Sequence, residues 1–126
     1  MKLILENRKA RFEYTVLETW EAGIVLTGLE VKSLRLGKSL SIAEAWVQNI
    51  NEELVLTGAH FETNAPEWMK ANPRRNRKLL LHKRQIRKII PKIEEGLTLI
   101  PLKFYFNERN LVKVQIGLAK GKKLYD

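Results

Sequence analysis

The sequence predicts a mainly β fold: a small, closed antiparallel barrel of six strands with short peripheral helices, in a single domain over residues 1–126. Three observations predict it. Apolar and polar residues alternate with a period of two in several short segments, as half-buried strands require. Gly, Asn and Pro residues separate those segments at turn-like intervals. One stretch, Ile86, Ile89, Ile90 and Ile93, carries the i, i+3, i+4, i+7 spacing of a helix face. Closing such a sheet removes the exposed edges that an open one must protect.

In chain order, Phe12, Tyr14 and Val16 alternate with Glu13 and Thr15 and read as a strand. Glu21-Ala22-Gly23 reads as a bend, and Ile24 to Leu26 as a second strand ending near Gly28. Val31 and Leu34, three apart, place a short helix over Leu29 to Arg35, closed by Gly37. Trp46 to Ile50 and Leu54 to Phe61 form two strands joined by a polar turn at Asn51 and Glu52, with Trp46 expected in the core. Glu62 to Asn76 holds two prolines and three asparagines and reads as a long exposed loop, which in a compact domain is usually functional. The isoleucine-faced helix follows. Pro91 inside it predicts a kink or a restart, and Gly96 its end. Leu97, Leu99, Leu102, Phe104 and Phe106 make the fifth strand, where Pro101 predicts a bulge or an edge. After a turn at Asn107 to Asn110, Val112, Val114, Ile116 and Leu118 alternate with Lys113, Gln115, Gly117 and Ala119 in the sixth.

Charge narrows the function. The net charge is +9, and ten of the 23 Lys and Arg residues fall between Lys70 and Lys92 with no Asp or Glu among them. That concentration attracts polyanions, nucleic acid above all, although a solvated basic face without a ligand has the same composition. With no cysteine, disulfides, thiolate zinc sites and thiol chemistry are excluded, and a reducing cytoplasm is expected. No segment has the length and apolarity of a membrane span or a signal peptide, so no membrane partner is expected. His60 and His82 belong to no metal-binding pattern, and neither a GxSxG nor a phosphate-cradling glycine loop is present. The adjacent pairs Glu52–Glu53 and Glu94–Glu95 diverge on either a strand or a helix and form no catalytic dyad. Nothing in the residues asks for catalysis, a cofactor or a small-molecule substrate.

Several stretches in order resemble the small protein B family, the tmRNA-binding proteins of bacterial trans-translation. They are Asn7-Arg8-Lys9-Ala10-Arg11, Glu21 to Leu26, Gly28 to Arg35, Arg77 to Arg84, Gly96 to Leu102 and Leu118 to Asp126. The resemblance implies an oligonucleotide-binding barrel that grips the tRNA-like domain of tmRNA near its elbow and enters stalled ribosomes with it. Tagging of the nascent peptide and ribosome rescue follow, with elongation factor Tu a further partner on the same RNA. No catalytic residue is implied. The RNA-binding residues it implies are Asn7, Arg8, Lys9, Arg11, Glu21, Arg77, Lys78, Leu80, His82, Lys83, Lys120, Gly121, Lys122 and Lys123.

The chemistry of these residues suits folded RNA, which is recognised by shape, phosphates, 2′-hydroxyls and unpaired bases. The cations at both ends of the chain pair with phosphates, and Gly121 lets backbone approach closely. Glu21 reads either as an ordinary strand-end carboxylate or, as the resemblance favours, as an acceptor for base or sugar edges. Leu80 is a default core residue that the resemblance places on the RNA, its neighbours facing inward. Base stacking and core packing are both open to Phe12 and Tyr14, which share a face if on one strand, and the exposure of Trp68 is open too.

The chain departs from the family around the loop proline Pro73, with Asn72 before it and Asn76 after it where an Asp and a Thr are usual, at Ser39 to Ala45, and at Trp46 in place of Tyr. Family members continue past the last motif with a basic tail. The sequence here stops at Asp126, so near-normal RNA binding with impaired ribosomal rescue is expected of it. Two other classes fit the residues less well: a structural protein of ribosomal RNA, and an RNA-processing enzyme.

Overall fold

The computed structural model describes residues 1–63, 66, 68 and 72–122. The elements are β1 (Lys2–Glu6), α1 (Arg8–Glu13), β2 (Tyr14–Ile24), α2 (Gly28–Arg35), β3 (Leu40–Ser41), β4 (Trp46–Ile50) and β5 (Glu53–Thr57). Then come β6 (His60–Phe61), β7 (Arg77–Leu80), α3 (Lys83–Glu94), β8 (Thr98–Phe106) and β9 (Val112–Gly121). Among the described residues, β8, β4, β5, β7, β2 and β9 pair in that order, and β9 pairs back to β8. Six antiparallel strands thus form a closed ring. β1 is added outside β8, while β3 and β6 pair apart from the ring.

Alternation fills the inside of the ring. Val114 and Ile116 are fully buried, with Leu54, Leu56, Leu79, Leu99 and Phe104 around them. Helix α3 adds Ile89, and Ile86, Ile90 and Ile93 pack beside it, as their spacing requires. A second cluster of Ala10, Ile100, Leu102 and Ala119 seats α1. The β4–β5 hairpin turns at Asn51 and Glu52, both with positive φ (51° and 65°), as a tight two-residue turn demands.

Six ring strands are present as expected, but two of the six differ. Glu21-Ala22-Gly23 is no bend: β2 runs unbroken through it because β9 pairs with it from Tyr14 to Gly23. The two strands expected at residues 12–16 and 24–26 are therefore largely one. The missing member is β7, four residues inside the basic segment. Phe12 and Tyr14 do not share a strand: Asn7 caps a helical turn, so Phe12 lies on α1 and is exposed, while Tyr14 starts β2 half-buried. Trp46 is 43% exposed rather than core. Helix α3 does not restart at Pro91 but runs through it, with the proline on its exposed side. Pro101 does mark a bulge: the β8–β9 register shifts between Pro101 and Lys103.

Candidate nucleic-acid interface

The two ends of the described chain meet. Asn7 accepts from the Ala10 amide at 3.2 Å, and its own amide groups donate to the carbonyls of Pro101 (2.9 Å) and Leu102 (2.7 Å). Asn7 is buried, with both ends of its side-chain amide hydrogen-bonded. Asn7 thus anchors α1, and little of it is left exposed for the RNA contact expected from sequence. Its anchoring sets Arg8, Lys9 and Arg11 on a helix beside the end of β9, where Tyr14 pairs with Gly121 and Thr15 with Lys120. The Lys122 amide donates to Glu13 at 2.8 Å and its ammonium to the Arg11 carbonyl at 2.8 Å. Lys123 lies outside the described residues.

The cations of this cluster are unequal. Lys9 lies 2.5 Å from Glu44 and 3.6 Å from Glu13, and the hydrogen bond to Glu44 leads in holding its ammonium above its ordinary value. Arg11 lies 3.4 Å from Glu6. Arg8 and Lys120 meet no carboxylate among the described residues, and both are exposed. An anion would therefore displace no carboxylate of the described residues at Arg8 and Lys120, but would compete with Glu44 at Lys9.

A second surface spans four strands. Gly23 on β2 pairs with Leu80 on β7 and with Lys113 on β9, and Lys113 pairs in turn with Tyr105 on β8. Cross-strand partners point the same way, so Leu80, Lys113 and Tyr105 lie in one row on the outside of the ring. The next row holds Glu21, Gln115 and Lys103. Leu80 is 51% exposed, while Leu79 is buried and Leu81 packs on the core. Gly23 suits this close pairing: a Cβ there would stand 3.3 Å from the Leu80 Cβ, a tight contact that Leu80 would have to relieve by a few tenths of an ångström. Next to Leu80 and Lys113, a groove of about 260 Å³ runs between Leu26, Val31 and Leu111.

Glu21 is fixed by a neighbour. The Tyr105 hydroxyl donates to one of its carboxylate oxygens. Burial, and then this bond, push the Tyr105 phenol above its ordinary value. The other Glu21 oxygen has no partner among the described residues, and the residue is exposed. A carboxylate pinned by one oxygen and offering the other is a preorganised acceptor, as the donor edge of a base or a 2′-hydroxyl requires. Tyr105→Phe is expected to cost about 1 kcal/mol in urea unfolding, the usual worth of one such hydrogen bond. It should also loosen Glu21 without changing net charge.

Sequence reasoning missed Lys113 and Tyr105. Alternation put Lys113 on the outer face, but only the β2–β9 register sets it beside Gly23 and Leu80.

Arg77, expected from sequence to contact RNA, is instead found buried, at 1% exposure. Its guanidinium donates to the Glu30 carboxylate through Nε (3.1 Å) and Nη2, and to the carbonyls of Arg75 (2.7 Å) and Pro73 (3.1 Å). It also lies 4.0 Å above the Phe61 ring. Arg75 reaches the other Glu30 oxygen at 2.6 Å. Glu30 sits in the first turn of α2, where it and Thr27 exchange hydrogen bonds at 2.9 and 3.1 Å. Burial pushes the Glu30 carboxyl up, but Arg77, Thr27 and Arg75 together hold it below its ordinary value. The network ties the end of the basic loop to α2. There Asn72 supplies its own turn bond, accepting from the Arg74 amide at 2.9 Å.

The remaining expected residues are exposed. Lys78 pairs with Glu53 at 2.9 Å, His82 starts α3 with its amide on Gln85 at 3.1 Å, and Lys83 follows on the helix. Phe12 is 75% and Trp68 83% exposed, so both present rings to solvent. Among the described residues, no His, Cys, Asp and Glu cluster could hold a metal ion, and no helix is long and apolar enough to cross a membrane.

Known proteins resemble this chain closely. It is 55% identical over 132 residues to an SsrA-binding protein of Afipia carboxidovorans, spanning 100% of this chain and 81% of that one. It is 52% identical over 128 residues to an SsrA-binding protein of Acaryochloris marina, spanning 99% and 82%. A solved chain described as "tmRNA-SmpB: a journey to the center of the bacterial ribosome" superposes with a TM-score of 0.78 at 49% identity, covering 97% of this chain and 86% of that one. The family described as SmpB protein matches residues 4–126, which is where the resemblance seen in the sequence also runs. By identity, coverage and fold together, this chain belongs to the SmpB protein family.

Proposed function

We propose that this chain is an RNA-binding adaptor with no catalytic residues of its own. It holds the tRNA-like domain of tmRNA and accompanies it to stalled ribosomes in the cytoplasm for trans-translation. The observation that carries this reading is the four-strand surface: an exposed Leu80, the Lys113 ammonium and the half-free Glu21 carboxylate on one face. Apolar contact, phosphate charge and a discriminating acceptor are the three elements that folded RNA needs from a protein. The SsrA-binding relatives and the tmRNA–SmpB chain on the ribosome support it. Arg8 and Lys120 add phosphate contacts at the meeting of the chain ends.

Binding of the tRNA-like domain of tmRNA, ordinary tRNA and plain duplex RNA at equal concentrations tests the reading. The tRNA-like domain should bind tightest. Glu21→Ala should narrow that preference by about 1–3 kcal/mol, the usual worth of a specific base contact. Lys113→Gln with Lys120→Gln should make the dependence of log K on log salt shallower by about two, one for each phosphate lost. Equal binding of all three RNAs, governed by salt alone, would overturn the adaptor reading in favour of a structural ribosomal protein.

A further inference from the structure

Helix α3 carries charge that the surface above does not use. Lys83, Arg84, Arg87, Lys88 and Lys92 are all exposed, and none meets a carboxylate within 4 Å among the described residues. At 100° per residue they fill one half of the helix, while Ile86, Ile89, Ile90 and Ile93 fill the other and pack on the core. Lys83 and Arg87 also line an open groove of about 480 Å³ shared with Ile86, Ile90, Pro91 and Glu52 at the tip of the β4–β5 hairpin. Glu52, and Glu94 at the last position of the helix, temper the field on that side. Arg84, Lys88 and Lys92 lie on the opposite side of the basic half.

The strip starts near Leu80. Helix α3 begins at Lys83, three residues after it. Its twelve residues extend about 18 Å. A nucleic-acid duplex presents on the order of ten phosphates over that length. A protein partner fits poorly, since stable protein interfaces need an apolar centre and are poor in lysine. The isoleucines of α3 are already spent on the core, and no exposed aromatic is available there to enter a membrane.

We propose that the basic half of α3 is a phosphate-binding strip for a double-helical stem of the same RNA that docks on Leu80, Lys113 and Glu21. This rests on the adaptor reading and lengthens its footprint. The strip reads backbone charge rather than sequence, so it adds affinity and orientation while Glu21 discriminates.

The test is the triple variant Arg84→Gln, Lys88→Gln, Lys92→Gln, in which every substituted side chain is exposed and the fold is checked by urea unfolding. With the full tRNA-like domain, its salt slope should be shallower than that of the unsubstituted chain by about two to three. With the RNA cut back to its elbow loops, the two proteins should bind alike. A variant with Arg84→Lys, Lys88→Arg and Lys92→Arg should keep the original slope, because charge alone is read. An unchanged slope with the full domain overturns the proposal, and so does an equal loss on the cut-back RNA, which would mark a general field. Loss of co-sedimentation with ribosomes without loss of tRNA-like domain binding also overturns it, and assigns α3 to ribosomal RNA instead. Failure of the adaptor reading is separately visible, as the absence of any preference by the unsubstituted chain, and the proposal falls with it.

Discussion

Arg77→Met is expected to destabilise the protein by about 3 kcal/mol or more, because removing one partner of a buried ion pair leaves the other charge stranded. Glu30 is 3% exposed and would keep only Arg75 and its amide bonds at the start of α2. The carbonyls of Arg75 and Pro73 would lose their donor as well. Urea unfolding measures the cost. RNA affinity of the folded fraction should change little, which separates a buried anchor from an RNA contact. Acid gives a second readout. The folded Glu30 carboxyl is held below its ordinary value of 4.5. Its contribution to stability is therefore complete above that value and is lost as pH falls through the lower folded one. The unsubstituted chain should lose stability over that range, and Glu30→Gln should lose markedly less. An equal loss in both would show that Glu30 is not the group responsible.

Phe104→Ala should cost about 3–5 kcal/mol, the range for truncating a buried aromatic. Phe104 is fully buried, and Phe61 meets it edge-on at a centroid distance of 6.0 Å. Phe61 in turn lies under the Arg77 guanidinium. Arg77, Phe61 and Phe104 thus form one stack from the basic loop to the centre of the ring. Groups that share a partner are not energetically independent. The double variant Arg77→Met, Phe104→Ala should cost less than the sum of the singles, by 0.5 kcal/mol or more. Strict additivity in urea unfolding would mean that Phe61 does not couple them.

The way these elements are encoded explains which were legible. Helix α3 and strand β9 show their buried faces in long, uninterrupted patterns, and both formed where the residues indicated. Helix α1 is six residues, too short to establish a period, and its Phe12 alternates with Tyr14 at the start of β2 in imitation of a strand. The usable signal was Asn7, a good N-cap. Strand β7 hid because its first inward position is occupied by a charge, Arg77, whose burial depends on a carboxylate 47 residues away. Gly23 suggested a turn by its type, yet it lies within a strand, closely opposite Leu80, which only the pairing of β2 with β7 reveals. The interface followed the same rule. Its charges were visible as composition, whereas the grouping of Leu80, Lys113 and Glu21 depends on register among strands distant in sequence. Phosphate-binding charge can be read residue by residue, but an acceptor held by Tyr105 cannot.

Ring closure also constrains synthesis. The seam between β2 and β9 joins the start of the fold to its end, and Arg11 and Lys122, 111 residues apart, are in contact across it. While the chain is being made, β2 must wait without its partner until β9 has left the ribosomal tunnel. Closing contacts so distant in sequence carries a large loop-closure entropy and slows folding into the range of milliseconds to seconds. A polypeptide cut short within β9 would leave β2 and β8 each with an open edge, a template for aggregation. The Leu80 surface takes Lys113 from that last strand, so that surface would be assembled only with the completed ring.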